Sequence, residues 1–222
     1  MFNLITDKYL SEYENQVSDD LLFRLPKGDL TQFDMDKFSF YSSVASVYSS
    51  KIEGEEMSLN DYLKHKEGTV KFKPQYTKRV DDLFKAYQFA QKKTLTADNL
   101  LKMHAILSKN LVKSTERGKI RHGIEQILDN QTGNIVYVAT DPKNVKTEMN
   151  KLFADIELLL SQSLTTNECF YYASLIHLFL LKIHPFSDGN GRTSRLLEKW
   201  FLAQKLGEKA WFLKSEQHYY NT

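Results

Sequence analysis

The sequence HPFSDGNGRTSR, from His184 to Arg195, joins two segments with helical periodicity. Pro185 ends the first helix, because proline disfavours helical conformations in the residue before it. A second helix begins near Gly191 and continues to Leu206. Gly189 and Gly191 allow backbone N–H groups to approach a ligand at the start of that helix, where the helix dipole favours an anion. The sequence therefore predicts an anion-binding loop between two helices.

The charged side chains of this loop suit a phosphate ligand. Arg192 and Arg195 share one face of the first helical turn, where cations oppose the helix dipole. A polyphosphate would reverse that effect, because arginine forms bidentate bonds with phosphate oxygens. Asp188 would repel phosphate unless Mg²⁺ lay between them, and His184 could accept the proton of an attacking hydroxyl. These residues predict a magnesium-dependent phosphate site with a histidine base.

Each of these residues also has a simpler structural explanation. Asp188 could cap a turn, and His184 could be a core histidine. A purely structural loop would need to combine a histidine, an acid, two glycines and two unfavourably placed arginines within twelve residues, so we favour the functional interpretation. His104 and His177 lie on apolar helix faces and are interpreted as core histidines rather than ligands.

Glycine and proline are scarce outside this loop. The chain has 222 residues, with 9 glycines and 4 prolines. An all-β protein of this length would need many more tight turns, so the composition indicates an all-α fold of long helices. Apolar periodicity predicts helices over residues 38–54, 77–93, 96–111, 142–160 and 167–183.

One segment departs from the helical pattern. Between Gly118 and Thr140, β-branched residues flank the turn-forming sequence Asp129–Gly133. Alternating β-branched residues around such a turn are typical of a hairpin. We expect a short β-hairpin that projects from the helical body.

Charge and cysteine content exclude several classes of protein. Lys and Arg number 30 against 28 Asp and Glu, for a net charge of +2, which does not favour a nucleic-acid coat. Cys169, the one cysteine, cannot form an internal disulfide and is expected to be a buried, inert thiol in a reducing compartment. No leader and no apolar run of about 18 residues is evident, so a cytoplasmic location is expected.

The loop resembles the signature of the Fic family of nucleotidyltransferases, HPFx[D/E]GNGRxxR, and residues 184–195 match every specified position. The helices from about Phe38 onward, with a hairpin before the loop, resemble the all-α Fic core and its flap. The resemblance implies a protein adenylyltransferase, which transfers AMP from ATP to a hydroxyl of a target protein and releases pyrophosphate.

The resemblance also implies roles for the residues of the signature. His184 would be the catalytic base, Asp188 would bind Mg²⁺, and Phe186 would anchor the loop in the core. Tyr219 and Tyr220 lie where Fic proteins often place aromatic contacts to adenine, although a frayed terminus is an alternative. The implied nucleotide-binding residues are Phe186, Gly189, Asn190, Gly191, Arg192, Arg195, Tyr219 and Tyr220.

The predicted flap offers a strand edge to a target protein. An extended target segment could pair with that edge by β-augmentation, while a simple lid is the alternative. The residues assigned to target docking are Ile135, Val136, Tyr137 and Val138.

A second match lies upstream, where residues 49–54 read SSKIEG. They fit the (S/T)xxxE(G/N) inhibitory motif of one Fic class, with Ser49 and Glu53 at its defined positions. Glu53 at a helix C-terminus opposes the dipole, so pairing with Arg195 would relieve both charges. We expect this pair to block the γ-phosphate position, with a solvated surface acid as the alternative. The chain then divides into an N-terminal segment, 1–56, and a Fic core, 57–222.

Several alternatives stay open at this stage. The signature binds phosphates rather than a base, so transfer of UMP or phosphocholine is an alternative, as is removal of AMP from a modified protein. Gly191 argues against the kinase-like branch, which commonly has lysine there. A non-catalytic regulatory protein is the alternative of another class. The expected partners are ATP and a protein with a Tyr, Ser or Thr hydroxyl; self-modification and a homodimer are further options, and no nucleic acid or membrane partner is expected.

Overall fold

The computed structural model describes residues 2–17, 35–128 and 132–222. Within those residues the chain forms a helical bundle with one small hairpin, which confirms the predicted all-α class. The elements in chain order are α1 (Leu10–Gln16), α2 (Met35–Ile52), α3 (Leu59–Glu67), α4 (Pro74–Gln91), α5 (Ala97–Leu107), β1 (Gln126–Leu128), β2 (Ile135–Val138), α6 (Pro142–Ser161), α7 (Thr166–Ile183), α8 (Asn190–Leu206), a 3₁₀ turn (Glu208–Phe212) and α9 (Ser215–Asn221).

The long helices lie where the sequence pattern predicts them, with small differences at their ends. Thr96 caps α5 as expected, because its hydroxyl accepts a bond from the Asn99 N–H at 3.2 Å. α4 begins at Pro74 rather than at residue 77, since proline fits the first helical turn without its N–H. α5 ends at Leu107 rather than near residue 111, and the residues that follow form turns.

Three short helices have no signal in the apolar pattern. α1 buries no side chain, α3 buries Tyr62, and α9 buries Glu216. Apolar periodicity reports the buried face of a helix. A short helix that buries one residue or none therefore leaves nothing for that pattern to show.

The centre of the bundle is formed by α7 and α8, which pack along each other. α6 packs against α7, while α4, α5 and α6 contact α8. Cys169 lies in this core and is fully buried, and burial raises the pKa of its thiol to about 11. The prediction of a buried cysteine is confirmed, while its inertness stays a prediction.

α2 packs across α4, α8, the 3₁₀ turn and α9. Phe38 contacts Trp211 edge to face, with ring centroids 5.9 Å apart. Tyr41 contacts Phe212 at 5.1 Å, and Ala45 is buried in the main core. This packing brings the C-terminal end of α2 to the first turn of α8.

The hairpin has the predicted location before the His184 loop. β1 and β2 are antiparallel, with Gln126 opposite Val138 and a bulge after Ile127. Residues 129–131 of the predicted turn lie outside the described residues. Ile135 and Val138 expose 53% and 54% of their surface, so apolar side chains of the hairpin face solvent. The described part of the chain contains no helix that is long and apolar enough to span a membrane.

The N-terminal residues are held on the bundle by one buried carboxylate, that of Asp155 on α6. It accepts bonds from the backbone N–H groups of Asn3 at 2.7 Å, Leu4 at 2.7 Å and Ile5 at 2.9 Å. The Asn3 side chain donates a further bond at 2.8 Å. Burial by itself would raise the pKa of Asp155, but these hydrogen bonds outweigh it and hold the pKa below 3.8.

Replacement of Asp155 with asparagine is expected to destabilise the protein by about 2–4 kcal/mol at pH 7, because hydrogen bonds to a charged acceptor are lost. The folded pKa is depressed, so this stabilisation is present above pH 3.8 and is lost as the pH falls through the lower folded value. Urea unfolding at pH 7 and near pH 3 measures the difference. A variant as stable as the parent at pH 7, or a difference that does not shrink as the pH falls below 3.8, would contradict this assignment.

Candidate active site

His184 lies at the C-terminal end of α7 in a left-handed backbone conformation, with φ 50° and ψ 61°. Among the described non-glycine residues, it alone has a positive φ. Such a conformation costs about 1–3 kcal/mol and persists only where the surroundings enforce it. Its imidazole Nδ1 faces the Leu181 carbonyl at 3.4 Å. That contact favours the tautomer with the proton on Nδ1, which leaves Nε2 as the basic nitrogen.

The loop after His184 is braced by the side chain of Asn190. The Asn190 Oδ1 accepts a bond from the Phe186 N–H at 3.0 Å, and its Nδ2 donates to the Phe186 carbonyl at 2.7 Å. Asn190 is buried, so its amide group serves the loop itself. A nucleotide-binding role for Asn190 stays a prediction.

Phe186 and His104 form a stacked pair under the loop. Their ring centroids are 3.6 Å apart with an interplanar angle of 6°, and both side chains are fully buried. His104 Nδ1 accepts a bond from the Gly118 N–H, so Nε2 carries the proton and donates to the Asp188 carbonyl, each at 3.0 Å. Burial lowers the pKa of His104 to about 4. The interpretation of His104 as a core histidine is confirmed.

Gly189 precedes α8 in a left-handed conformation with φ 81°. A Cβ at this position would lie 3.0 Å from a methyl group of Leu107, so a side chain would be both strained and crowded. Its carbonyl accepts bonds from the backbone and the hydroxyl of Thr193 at 2.9 and 2.8 Å. The neighbouring Asp188 carboxylate is exposed and accepts one bond from the Gly189 N–H at 2.6 Å.

Arg195 is buried in the first turns of α8 and binds the end of α2. Its Nε donates to the Ser49 hydroxyl at 2.8 Å, and its Nη2 donates to the Ser49 carbonyl at 3.0 Å. The same Nη2 forms an ion pair with Glu53 Oε1 at 2.6 Å. The predicted pairing of Glu53 with Arg195 is therefore confirmed, while its effect on activity stays a prediction.

Arg192 lies one turn earlier and is also buried, with 3% of its surface exposed. Its Nη2 lies 3.5 Å from Glu55 Oε1, which in turn pairs with Arg79 at 2.7 Å. Its Nε is buried and has no hydrogen-bond partner among the described residues. Burial lowers the pKa of Arg192, and the carboxylates of Glu53, Asp188 and Glu55 partly offset this effect.

Glu53 also contacts the backbone at the start of α8. A Cβ built on Gly191 would overlap the Glu53 Oε1 atom. The carboxylate therefore lies directly against the helix N-terminus, where partial positive charge stabilises an anion. In this conformation of the protein, Glu53 places a carboxylate between the start of α8 and Arg195.

Tyr219 and Tyr220 lie on α9, and both contact neighbouring side chains. The Tyr219 hydroxyl donates to Glu198 at 3.0 Å, and Glu198 also contacts His177 Nδ1 at 2.6 Å. Tyr220 packs on Tyr48 of α2, with ring centroids 5.6 Å apart. Both tyrosines are partly exposed, at 41% and 46%. Contact with adenine stays a prediction.

The hairpin adjoins the end of α7 that carries His184. The Tyr137 hydroxyl donates to the Lys182 carbonyl at 2.8 Å. The backbone N–H of Arg121 donates to the Pro185 carbonyl at 2.9 Å, which attaches the segment before β1 to the loop. Val136 lies in β2; its role and those of the other three strand residues in target docking stay predictions.

Sequence reasoning overlooks two residues that contact this site. Glu55 follows Gly54 and lies outside the inhibitory motif. Its closeness in sequence to Glu53 is the signal that could have indicated a place near the site. Arg121 lies in a segment that the pattern marks as strand and turn, where an isolated arginine suggests a solvent-exposed side chain. The structure instead buries Arg121, with 5% of its surface exposed.

Comparison with known proteins agrees with this geometry. The model of the Fic/DOC family matches residues 94–202. The protein adenylyltransferase Fic of Nematostella vectensis is 26% identical over 193 residues, which cover 80% of this chain and 41% of that relative. A protein adenylyltransferase of Caenorhabditis elegans is 30% identical over 103 residues, covering 46% of this chain and 18% of the relative. The chain thus spans less than half the length of these relatives.

Solved structures share the fold. A Fic family protein from Desulfovibrio desulfuricans G20 aligns with all of this chain and 65% of its own, with a TM-score of 0.79 and 20% identity. A Fic domain containing signaling protein from Bacteroides thetaiotaomicron aligns with 89% of this chain and 73% of its own, with a TM-score of 0.65 and 17% identity. The match of residues 94–202 to the Fic/DOC family model includes the whole loop from His184 to Arg195 and shows that the chain belongs to the Fic/DOC family.

Proposed function

We propose that this chain is an autoinhibited protein adenylyltransferase that transfers AMP from ATP to a hydroxyl of a target protein. The observation that carries the proposal is the pair of buried guanidinium groups in the first turns of α8, Arg192 and Arg195. Cations there oppose the helix dipole, so the site favours anions, and in this conformation Glu53 and Glu55 supply them. Relatives named protein adenylyltransferases support the reaction class.

The site suits a polyphosphate better than it suits a single carboxylate. The Nε of Arg192 is buried and unpartnered among the described residues, although buried polar atoms are normally hydrogen-bonded. Phosphate oxygens could accept from it and from the N–H groups at the start of α8. The α- and β-phosphates would lie near Arg192, and the γ-phosphate would take the place of the Glu53 carboxylate beside Arg195.

Asp188 fits a magnesium ion that is shared with substrate phosphates. Its carboxylate is exposed beside the helix start, and one oxygen is held by the Gly189 N–H at 2.6 Å. Mg²⁺ commonly binds one or two carboxylates together with substrate phosphates. No group of three or more His, Cys, Asp or Glu residues in the described ranges could hold a metal without such a partner. When bound, the ion would neutralise charge on the phosphates.

The reaction requires one bond to form and one to break at the α-phosphorus. The target hydroxyl oxygen attacks that phosphorus, and the bond to the β-phosphate oxygen breaks to release pyrophosphate. The hydroxyl proton passes to His184 Nε2. Arg192 and Arg195 stabilise the charge that develops on the leaving pyrophosphate, which is the usual role of fixed cations in phosphoryl transfer.

His184 is in the right protonation state to act as this base. Burial lowers its pKa below 6.5, and the nearby Arg121 cation acts in the same direction. The Leu181 carbonyl, Glu125 and Asp188 oppose that shift but do not reverse it. The imidazole is therefore neutral at pH 7 and can accept a proton.

Inhibition would follow from the acidic residues at the end of α2. Glu53 pairs with Arg195 and lies against Gly191, so it would exclude the γ-phosphate. Glu55 lies beside Arg192 and would weaken its contact with phosphate. The two acids together neutralise both arginines of the loop. ATP can bind productively only after this end of α2 moves away.

A labelled-nucleotide assay tests the reaction class. The wild type, Glu53→Gly and Glu53→Gly/His184→Ala chains are incubated with Mg²⁺ and cell lysate, using ATP labelled at either the α- or the γ-phosphate. We expect labelling above that of lysate alone from α-labelled ATP only, and a loss of about 10²–10⁴-fold in the Glu53→Gly/His184→Ala chain relative to Glu53→Gly. The rate of Glu53→Gly should fall with decreasing pH only below 6.5, because the pKa of His184 is lowered.

Three results would argue against the proposal. Label from γ-labelled ATP alone would indicate a kinase. Equal labelling by the Glu53→Gly and Glu53→Gly/His184→Ala chains would show that His184 is not the catalytic base. No labelling by any chain under conditions where ATP binds would refute transfer to lysate proteins.

A further inference from the structure

One buried guanidinium group, that of Arg121, joins the hairpin to the catalytic loop. Its Nε donates to the His184 carbonyl at 2.6 Å, and its Nη2 donates to the Ile183 carbonyl at 3.3 Å. Its Nη1 donates to the Gly123 carbonyl at 2.5 Å, and Nη2 also donates to the Thr140 carbonyl at 2.6 Å. The four acceptors belong to the end of α7 and to the two ends of the hairpin segment.

The backbone of Arg121 adds a fifth contact. Its N–H donates to the Pro185 carbonyl at 2.9 Å. The carbonyls of residues 183, 184 and 185 are therefore all bound by this single residue. His184 is the middle one of the three, and it has the positive φ of 50°. Arg121 thus holds both peptide groups that flank the strained residue.

A simple packing role does not account for a cation at this place. Arg121 exposes 5% of its surface, and the four acceptors of its side chain are neutral carbonyl oxygens. Burial lowers the pKa of Arg121, and the carboxylates of Glu125 and Asp141 offset this effect only in part, so desolvation of the cation carries a cost. What a guanidinium group offers in return is a planar set of five N–H donors in fixed directions, which a lysine or an apolar residue cannot provide.

We propose that Arg121 is a positioning residue for the transfer reaction. It keeps the His184 backbone in the left-handed conformation and fixes the hairpin relative to the imidazole, so that a hydroxyl presented at the hairpin meets the base. The inference rests on the function proposed above. The hydrogen bonds of Arg121 go to the hairpin and to the backbone of the base, whereas Arg192 and Arg195 would bind the phosphates.

The test uses Arg121→Lys and Arg121→Gln in the Glu53→Gly chain. We expect kcat for transfer to fall by at least about 30-fold in both, since a misplacement of about 1 Å can cost 100-fold. The Kd for ATP, measured by equilibrium dialysis, should change by less than about threefold, because the phosphate-binding groups stay in place. The imidazole resonances of His184, assigned with the His184→Ala chain, should shift in both variants.

Arg117 provides a matched control from the same segment. Its Nε donates one long bond of 3.4 Å to the Val112 carbonyl. Arg117→Lys and Arg117→Gln should leave kcat, the Kd for ATP and the His184 resonances unchanged.

Several outcomes would overturn the inference. One is a kcat within about threefold of the parent in both Arg121 variants. Another is a parallel loss of kcat and ATP affinity. Failure of both variants to fold, seen by thermal unfolding, would assign Arg121 to stability alone. If the parent Glu53→Gly chain transfers nothing, the proposed function fails, and unchanged His184 resonances in the Arg121 variants would still reject the positioning role.

Discussion

Replacement of Glu53 with glycine is expected to raise the rate of AMP transfer about 100-fold. The reason is that Arg195 and the start of α8 would become available to the γ-phosphate. Glu53 holds Arg195 at 2.6 Å and lies against Gly191. If the inhibited arrangement is favoured about 99:1, its removal increases the competent fraction by about that factor.

The size of this effect is consistent with the burial of the pair. A preference of about 99:1 corresponds to about 2.7 kcal/mol. Exposed ion pairs contribute up to about 1 kcal/mol, whereas breaking a buried pair costs about 3–5 kcal/mol. The side chain of Arg195 is 7% exposed and that of Glu53 is 29% exposed. An intermediate value fits a pair with one buried and one partly exposed partner.

The experiment compares initial rates of transfer from α-labelled ATP with the Kd for ATP and for ADP. Glu53→Gly and Glu53→Gln should both activate and should tighten ATP more than ADP, because only ATP has the γ-phosphate. Glu56→Gln is the matched control, since Glu56 is an exposed acid in the same segment. Rates within twofold of wild type for both Glu53 variants, while ATP still binds, would reject the inhibitory role.

Loss of the Lys199 side chain is expected to destabilise the fold strongly. Lys199 and Glu216 form an ion pair at 2.5 Å in which each side chain is 1% exposed. Lys199 also donates to the Leu213 carbonyl at 2.7 Å, and the Tyr87 hydroxyl donates to Glu216 at 2.7 Å. Lys199→Met would leave a buried carboxylate without a cation and should cost about 3–5 kcal/mol.

Urea unfolding of two further variants distinguishes loss of the ion pair from loss of packing as the cause of the lower stability. Lys199→Met/Glu216→Gln should recover much of the lost stability, because glutamine removes the buried charge and still accepts from Tyr87. Lys151→Met breaks the exposed pair with Glu148 and should change stability by less than about 1 kcal/mol. A Lys199→Met effect no larger than that of Lys151→Met would contradict the assignment.

This buried pair also bears on the site. It attaches α9 to α8 and to Tyr87 of α4. α9 in turn packs on α2, where Tyr220 contacts Tyr48 and the Lys51 ammonium lies 5.3 Å from the Tyr220 ring. The stability of α9 therefore supports α2, the helix that ends just before Glu53.

Sequence reasoning predicted features in which residue type and local spacing carry the information. Proline and glycine mark the loop of residues 184–195, because only these residues suit its backbone changes. The pairing of Glu53 with Arg195 could be predicted across 142 residues, because residues 49–54 resemble the inhibitory motif and each charge opposes its own helix dipole. The long helices were predictable because each buries an apolar stripe.

The tertiary structure alone decided how the loop is held. Arg121 binds backbone carbonyls about 60 residues away, and carbonyl acceptors are the same in every residue, so no sequence pattern reports them. The protonated nitrogen of His104 depends on the Gly118 N–H and the Asp188 carbonyl, which only packing brings together. The residue types thus determine the chemistry of the site, whereas the exact positions of its side chains depend on backbone contacts that exist only in the folded chain.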